Sequence, residues 1–255
     1  MLKNKSLLTL LASFILIFIW FIASTLIHKP FFPPPSSAFM GFILLITNEH
    51  LLFHFFISLY RILISALISL VIAVPLGIFM GRKEGIDNFI MPFVSILYPL
   101  PKIVFLPIFI VLLGLGNAPK ILIITLIITF QILVVVRDGV RKIPKEYFTS
   151  FLTLSSNQWS MTRHLILPCI RGDIITSLRI SVGSAIAVLF FAETFVAYDG
   201  LGYVILYHME ARNYPLMYGA IIAMSILGIS LYTLLSKCEK YYTKWQWYCF
   251  NIKNT

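Results

Sequence analysis

The chain has 255 residues, of which 59% are hydrophobic and 12% charged, against about 25% charged residues in soluble domains. With a mean hydropathy of +0.93, this excludes an ordinary globular protein, and the continuous apolar runs exclude the alternation of a β-barrel. The net charge of +10 fits the basic loops of a membrane protein rather than a nucleic-acid surface. The expected fold is therefore an all-α polytopic membrane protein with about six transmembrane helices.

In chain order, Lys3 and Lys5 precede an apolar run from Ser6 to Ile27. A signal peptide opens in the same way, but its apolar core is only about 7–15 residues, so a retained first span with a cytoplasmic N-terminus is expected. A loop carrying Pro30, Pro33, Pro34 and Pro35 follows. Ala38 to Ile57 is read as an amphipathic helix at the outer surface. Its His50 and His54, with His28 nearby, are taken as headgroup contacts on one helix face rather than as metal ligands.

Ser58 to Met80 is the second span, with Arg61 snorkelling at its outer end and a kink near Pro75 and Gly77. Gly81 to Gly85 is a short basic inner turn. Phe89 to Leu113 is the third span, carrying Pro92, Pro99, Pro101 and Pro107. Each proline removes a backbone donor, and irregular backbone at membrane depth is tolerated where it packs in protein or lines a water-filled path. Pro99, Pro101 and Pro107 are therefore pathway candidates, although interruption only near the span ends fits equally.

Gly114 to Asn117 is an outer turn, and Ile121 to Val136 is the fourth span. The long segment from Arg137 to Asp173 is basic through Arg137, Arg141, Lys142, Lys145, Arg163 and Arg171. Within it, Ser155 followed by Gln158 reads as a capping box. Trp159, Met161, Thr162 and Leu165 continue that helix, and Pro168 is expected to stop it. Such an element suits docking of a cytoplasmic partner or lying on headgroups.

Ile174 to Ala197 is the fifth span. It holds Glu193, a costly intramembrane acid that must pair or face water. Glu193, Arg61 and Arg179 join the gating or pathway candidates. Asp199 to Asn213 is an external loop containing Gly200, Leu201, Gly202 and Tyr203. Pro215 to Ser236 is the sixth span, and a basic aromatic tail follows with Trp245, Trp247 and Tyr248 at the interface.

Charge orients this arrangement. Lys3, Lys5, Arg82, Lys83, the six basic residues of the long segment, and Lys237, Lys240, Lys244 and Lys253 fall inside; only Lys29, Lys120 and Arg212 fall outside. An even number of spans puts both termini in the cytoplasm. Cys169, Cys238 and Cys249 are scattered without metal spacing. There is no GxxxxGK[ST] motif and no nucleophile beside a base. No enzyme activity, metal or cofactor is expected.

The long segment and fifth span resemble a permease of the ATP-binding-cassette importers, in the branch serving nitrate, sulfonate, taurine and bicarbonate. The resemblance rests on Ile166-Leu167-Pro168 after Arg163-His164, on Ser177-Leu178-Arg179, on Ala192-Glu193 and on Gly200 to Tyr203. It extends to Ser58-Leu59 with Arg61, Pro75-Leu76-Gly77 with Gly81, and Pro99 to Pro107 before Gly114-Leu115-Gly116. It covers roughly residues 53–236. The family's loop glycine is replaced by Ser155, and its Glu-Ala-Ala by Thr149, Ser150 and Phe151, with Glu146 one helical turn away.

What the resemblance implies is a permease subunit of an ATP-driven importer of a small solute, an organic or inorganic anion among the candidates. A self-sufficient secondary transporter or channel is the alternative. Separate ATPase subunits would dock on Glu146, Ser155, Ser156, Gln158, Trp159, Met161, Thr162, Leu165 and Pro168. A solute-binding protein, a second permease copy (a homodimer) and the lipid bilayer would be the other partners, in a bacterial cytoplasmic membrane. The expected divisions are 1–52, a first span with an external segment; 53–236, a permease core with the coupling loop 137–173; and 237–255, a cytoplasmic tail.

Overall fold

The computed structural model describes residues 2–195 and 198–242, with the side chains of residues 2–6, 9 and 48 left aside. The expected tail aromatics Trp245, Trp247 and Tyr248, with Lys244, Lys253 and Cys249, lie outside the described residues. Eleven α-helices account for most of the described residues: α1 (Leu2–Ile27), α2 (Pro35–Asn48), α3 (Leu51–Arg82), α4 (Glu84–Leu97), α5 (Leu106–Leu113), α6 (Asn117–Arg141), α7 (Lys145–Leu154), α8 (Gln158–Met161), α9 (Leu167–Phe195), α10 (Leu201–Glu210) and α11 (Tyr214–Tyr242). A 3₁₀ turn (Lys102–Phe105) precedes α5, and a π turn (Thr162–Ile166) joins α8 to α9. Among the described residues, five helical stretches are long and apolar enough to cross a membrane, six when the bent pair of α4 with the segment 102–113 counts as one span.

The chain divides into two compact units. One comprises Met1–Ser58 with Glu193–Leu227, the other Leu59–Ala192 with Gly228–Thr255. In the first, α2 and α11 approach so closely that a Cβ on Gly41 would lie 2.1 Å from the Pro215 carbonyl oxygen, and one on Gly219 would lie 2.5 Å from the Phe42 nitrogen. Trp20 of α1 donates its indole N–H to the Pro33 carbonyl at 3.2 Å and stacks on Tyr218.

In the second unit, α3 and α6 run parallel in one fixed register. Arg61 Nε and Nη2 donate to Asn117 Oδ1 at 2.9 and 2.7 Å. One turn on, the Ser65 hydroxyl reaches the Ile121 carbonyl at 3.1 Å; another turn on, Ser69 reaches Thr125 at 3.0 Å. Gly77 then meets Leu133 and Val136, and Gly81 meets Arg137 and Val140. The contacts keep an offset of 56 residues because both helices advance by the same rise. Small side chains every four residues, Ser65, Ser69, Ala73, Gly77 and Gly81, keep the backbones close where lipid supplies no hydrophobic drive.

Several expectations are corrected. Ala38 to Ile57 is not one helix: α2 ends at Asn48, and His50 lies at φ +51 in the turn before α3. His50 and His54 therefore do not share a helix face. Pro75 lies inside α3, which continues to Arg82. Pro92 likewise lies inside α4, and Pro107 sits in the first turn of α5, where a missing N–H leaves no bond unmade. Only the segment with Pro99 and Pro101 breaks the helix, and there the two halves bend by 84°. The stretch from Asp199 to Asn213, expected as an external loop, is not a plain loop, since α10 occupies most of it.

Candidate functional site

The polar segment expected to dock a partner is helical almost throughout. Pro144 precedes α7, and Ser155 ends it with extended backbone at φ −160°. Ser155 does not cap the next helix. Asn157 does: its Oδ1 accepts the Trp159 N–H at 2.9 Å, while Ser155 Oγ accepts the Asn157 N–H at 3.2 Å. The helix begins two residues later than the capping box requires, so Gln158 cannot reach back. It accepts instead from Arg82 Nη2, which also donates to Met161 Sδ at 3.4 Å.

Pro168 does not stop the helix either. The π turn at Thr162–Ile166 sits just ahead of the proline, where the ring would otherwise crowd the preceding turn, and α8 runs on into α9. Gln158–Phe195 is one helical stretch of 38 residues. Its start leaves Trp159 69% exposed, whereas Met161 is buried and Leu165 half-buried. Glu146, Ser156 and Gln158 are exposed; Ser155, Thr162 and Pro168 are half-buried. Beside them lies a cavity of about 600 Å³ whose lining includes Arg82, Glu84, Arg141, Lys145, Thr149 and Gln158.

Asp87, which no motif or spacing singles out, ties this region together. Almost fully buried on α4, its carboxylate accepts from Arg137 Nε at 2.8 Å and Nη2 at 2.6 Å, and from Arg141 Nη2 at 2.7 Å. Arg137 also pairs with Asp138 at 2.7 Å. The four-residue spacing of the two arginines on α6 was the available signal, but a spacing on one helix does not say which acid it meets.

The pathway candidates separate. Arg61 does not snorkel; it is wholly buried in the α3–α6 seam, because Asn117 supplies the oxygen that water would have supplied. Arg179 on α9 donates to the Tyr232 hydroxyl at 2.8 Å, lies over that ring, and has Nε 2.7 Å from Glu239 Oε2 on α11. Thr176 donates to the same carboxylate at 2.7 Å.

Glu193 is buried in the first unit, where it accepts from Ser58 Oγ at 2.8 and 3.0 Å and from the Gly202 N–H at 2.9 Å. Leu201 N–H donates to Ser58 Oγ at 2.9 Å, and Gly200 N–H to His54 Nδ1 at 3.1 Å. These acceptors satisfy free donors at the start of α10. Tyr203 packs beside His54. At the other end of α10, His208 Nε2 lies 2.7 Å from Glu49 Oε2. Pro99 and Pro101 stand at the bend, followed directly by half-buried Lys102.

Apolar spans, one broken helix pair and an exposed polar helix start are those of a polytopic membrane protein. Residues 73–240 match the family of binding-protein-dependent transport system inner membrane components, and the chain belongs to that family. It is 27% identical over 214 residues to a probable ABC transporter permease of Brucella abortus (strain 2308), covering 84% of this chain and 86% of that one. It is 25% identical over 238 residues to the taurine transport system permease protein TauC of Escherichia coli (strain K12), covering 91% and 86%. Its fold matches an inward-facing structure of the MetNI methionine ABC transporter with a TM-score of 0.66 at 17% identity, covering 76% of this chain and 96% of that one. The protein is thus a permease subunit of an ABC importer, and the alternative of a self-sufficient transporter is set aside.

Proposed function

We propose that the chain carries a small anionic solute inward across the bacterial cytoplasmic membrane, driven by separate ATPase subunits that grip the exposed start of the α8–α9 stretch. The observation that carries this is the continuity of Gln158–Phe195. A partner seated on Trp159 holds the same helical stretch that crosses the bilayer, so its displacement passes along one element, through the π turn ahead of Pro168, to the span. Trp159, Ser156, Glu146 and half-buried Leu165 are the contact residues; buried Met161 and the capping Asn157 shape the helix. Glu146 supplies the acid that the Thr149-Ser150-Phe151 stretch lacks. A solute-binding protein delivers the solute to the external side, a second copy completes the path, and both termini lie in the cytoplasm.

Arg61, Arg179 and Glu193 act in this scheme by holding helices in place, and the bend at Pro99 and Pro101 lines the path. The test is co-purification of the full chain with a candidate ABC ATPase subunit from the same cell. Trp159→Ala with Leu165→Ala is expected to reduce the recovered ATPase at least about tenfold, as for loss of a buried aromatic anchor. Undiminished recovery rejects the docking site.

A further inference from the structure

We infer that Lys102 forms an anion-selective site at mid-membrane depth, taking a small solute that bears a sulfonate, carboxylate or comparable single negative charge; this deepens the proposed importer reading and rests on it. Depth comes from α6. The Lys102 ammonium lies 4.9 Å from the centre of the Phe130 ring, and Phe130 is one residue past the midpoint of the 25-residue helix Asn117–Arg141. The ammonium also donates to the Tyr98 carbonyl at 2.9 Å and stands 5.5 Å from the Tyr98 ring centre. Among the described residues, no carboxylate pairs with it.

A cation with no acid partner at this depth does not face hydrocarbon without cost, and intramembrane cations mark solute paths when they face water or the bundle interior. The backbone gives a second, independent reason. Around Pro99 and Pro101 the helix is broken and bent by 84°, and non-helical backbone at membrane depth is tolerated only against protein or along a water-filled cavity. Leu100 and Val104, on either side of Lys102, are 40% and 64% exposed. The broken backbone and an ammonium without an acid partner together mark this segment as a wall of the path, and its fixed charge is positive. Ring faces and one carbonyl hold the ammonium without neutralising it, which leaves its charge available to a passing anion. No lipid headgroup reaches the middle of a span, so the anion is a solute.

The experiment needs no knowledge of the natural solute. In the full chain, with Cys169, Cys238 and Cys249 changed to Ser, Val104→Cys is exposed in membrane vesicles to two water-soluble thiol reagents of similar size. They are 2-sulfonatoethyl methanethiosulfonate and 2-(trimethylammonium)ethyl methanethiosulfonate. The ratio of anionic to cationic labelling rates is compared with that at Ser156→Cys, which is exposed and distant in sequence. A unit charge roughly 6 Å away in a watery path shifts such a ratio by about tenfold.

The expected result is a ratio about tenfold higher at Val104→Cys than at Ser156→Cys, retained in Lys102→Arg and lost in Lys102→Gln. Lack of reaction with either reagent would place Val104 against lipid and overturn the inference. So would equal ratios at the two cysteines in the parent, which requires no Lys102 variant to fold. ATPase co-purification is read separately, so failure of docking and failure of the anion site give different outcomes.

Discussion

Individual residues hold the first unit together at the start of α10. Gly200 has φ +102, and a Cβ there would lie 2.3 Å from the Glu193 carboxyl carbon. Gly114 also has positive φ, +78, but a Cβ there meets nothing within 4 Å. Gly200→Ala therefore carries both backbone strain and a collision, and Gly114→Ala only the strain, which costs about 1–3 kcal/mol. Thermal unfolding of the purified chain in detergent is expected to fall more for Gly200→Ala than for Gly114→Ala. Equal losses would mean that Glu193 yields freely and does not fix α10.

At the scale of elements, the α3–α6 seam admits a direct check. A side chain at Gly81 would bring a Cβ within 2.6 Å of Val140 and 2.9 Å of the Arg137 carbonyl, whereas Gly85 has open space. Gly81→Val is expected to destabilise by about 1–3 kcal/mol, the usual cost of overpacking, and Gly85→Val to leave thermal unfolding nearly unchanged. The seam was only partly legible in the sequence. Ser65 and Ser69 each bond back to a carbonyl of α3 and across to a carbonyl of α6. The partner helix and its register were not readable, because small residues every four positions declare a close face without naming what packs on it.

The same limit explains the prolines. Four in one span signal irregularity, but Pro92 and Pro107 fall where a helix accommodates them, while Pro99 and Pro101 remove two donors only two residues apart, where the chain bends. The capping residue was missed by two positions because Ser155, Ser156 and Asn157 are all good caps. Only the backbone decides which of them stands before the first turn.

For the whole molecule, spans were legible because twenty or so apolar residues have few other uses. The family was legible because its motifs lie in the polar breaks between spans. The proposed orientation rests on the uneven distribution of lysine and arginine. A single cysteine at Ser156, with Cys169, Cys238 and Cys249 changed to Ser, is expected to react with a membrane-impermeant maleimide in inverted vesicles and to stay unlabelled in intact cells. Labelling in intact cells would put Trp159 outside, beyond reach of any cytoplasmic ATPase.

The 38 residues of Gln158–Phe195 measure about 57 Å along the helix, while the hydrocarbon layer is about 30 Å thick. Nearly half of that rod must overhang the bilayer or lean within it. A grip near Trp159 therefore works at the end of a long lever, where a modest stroke costs little bending and turns into a tilt of the buried arm.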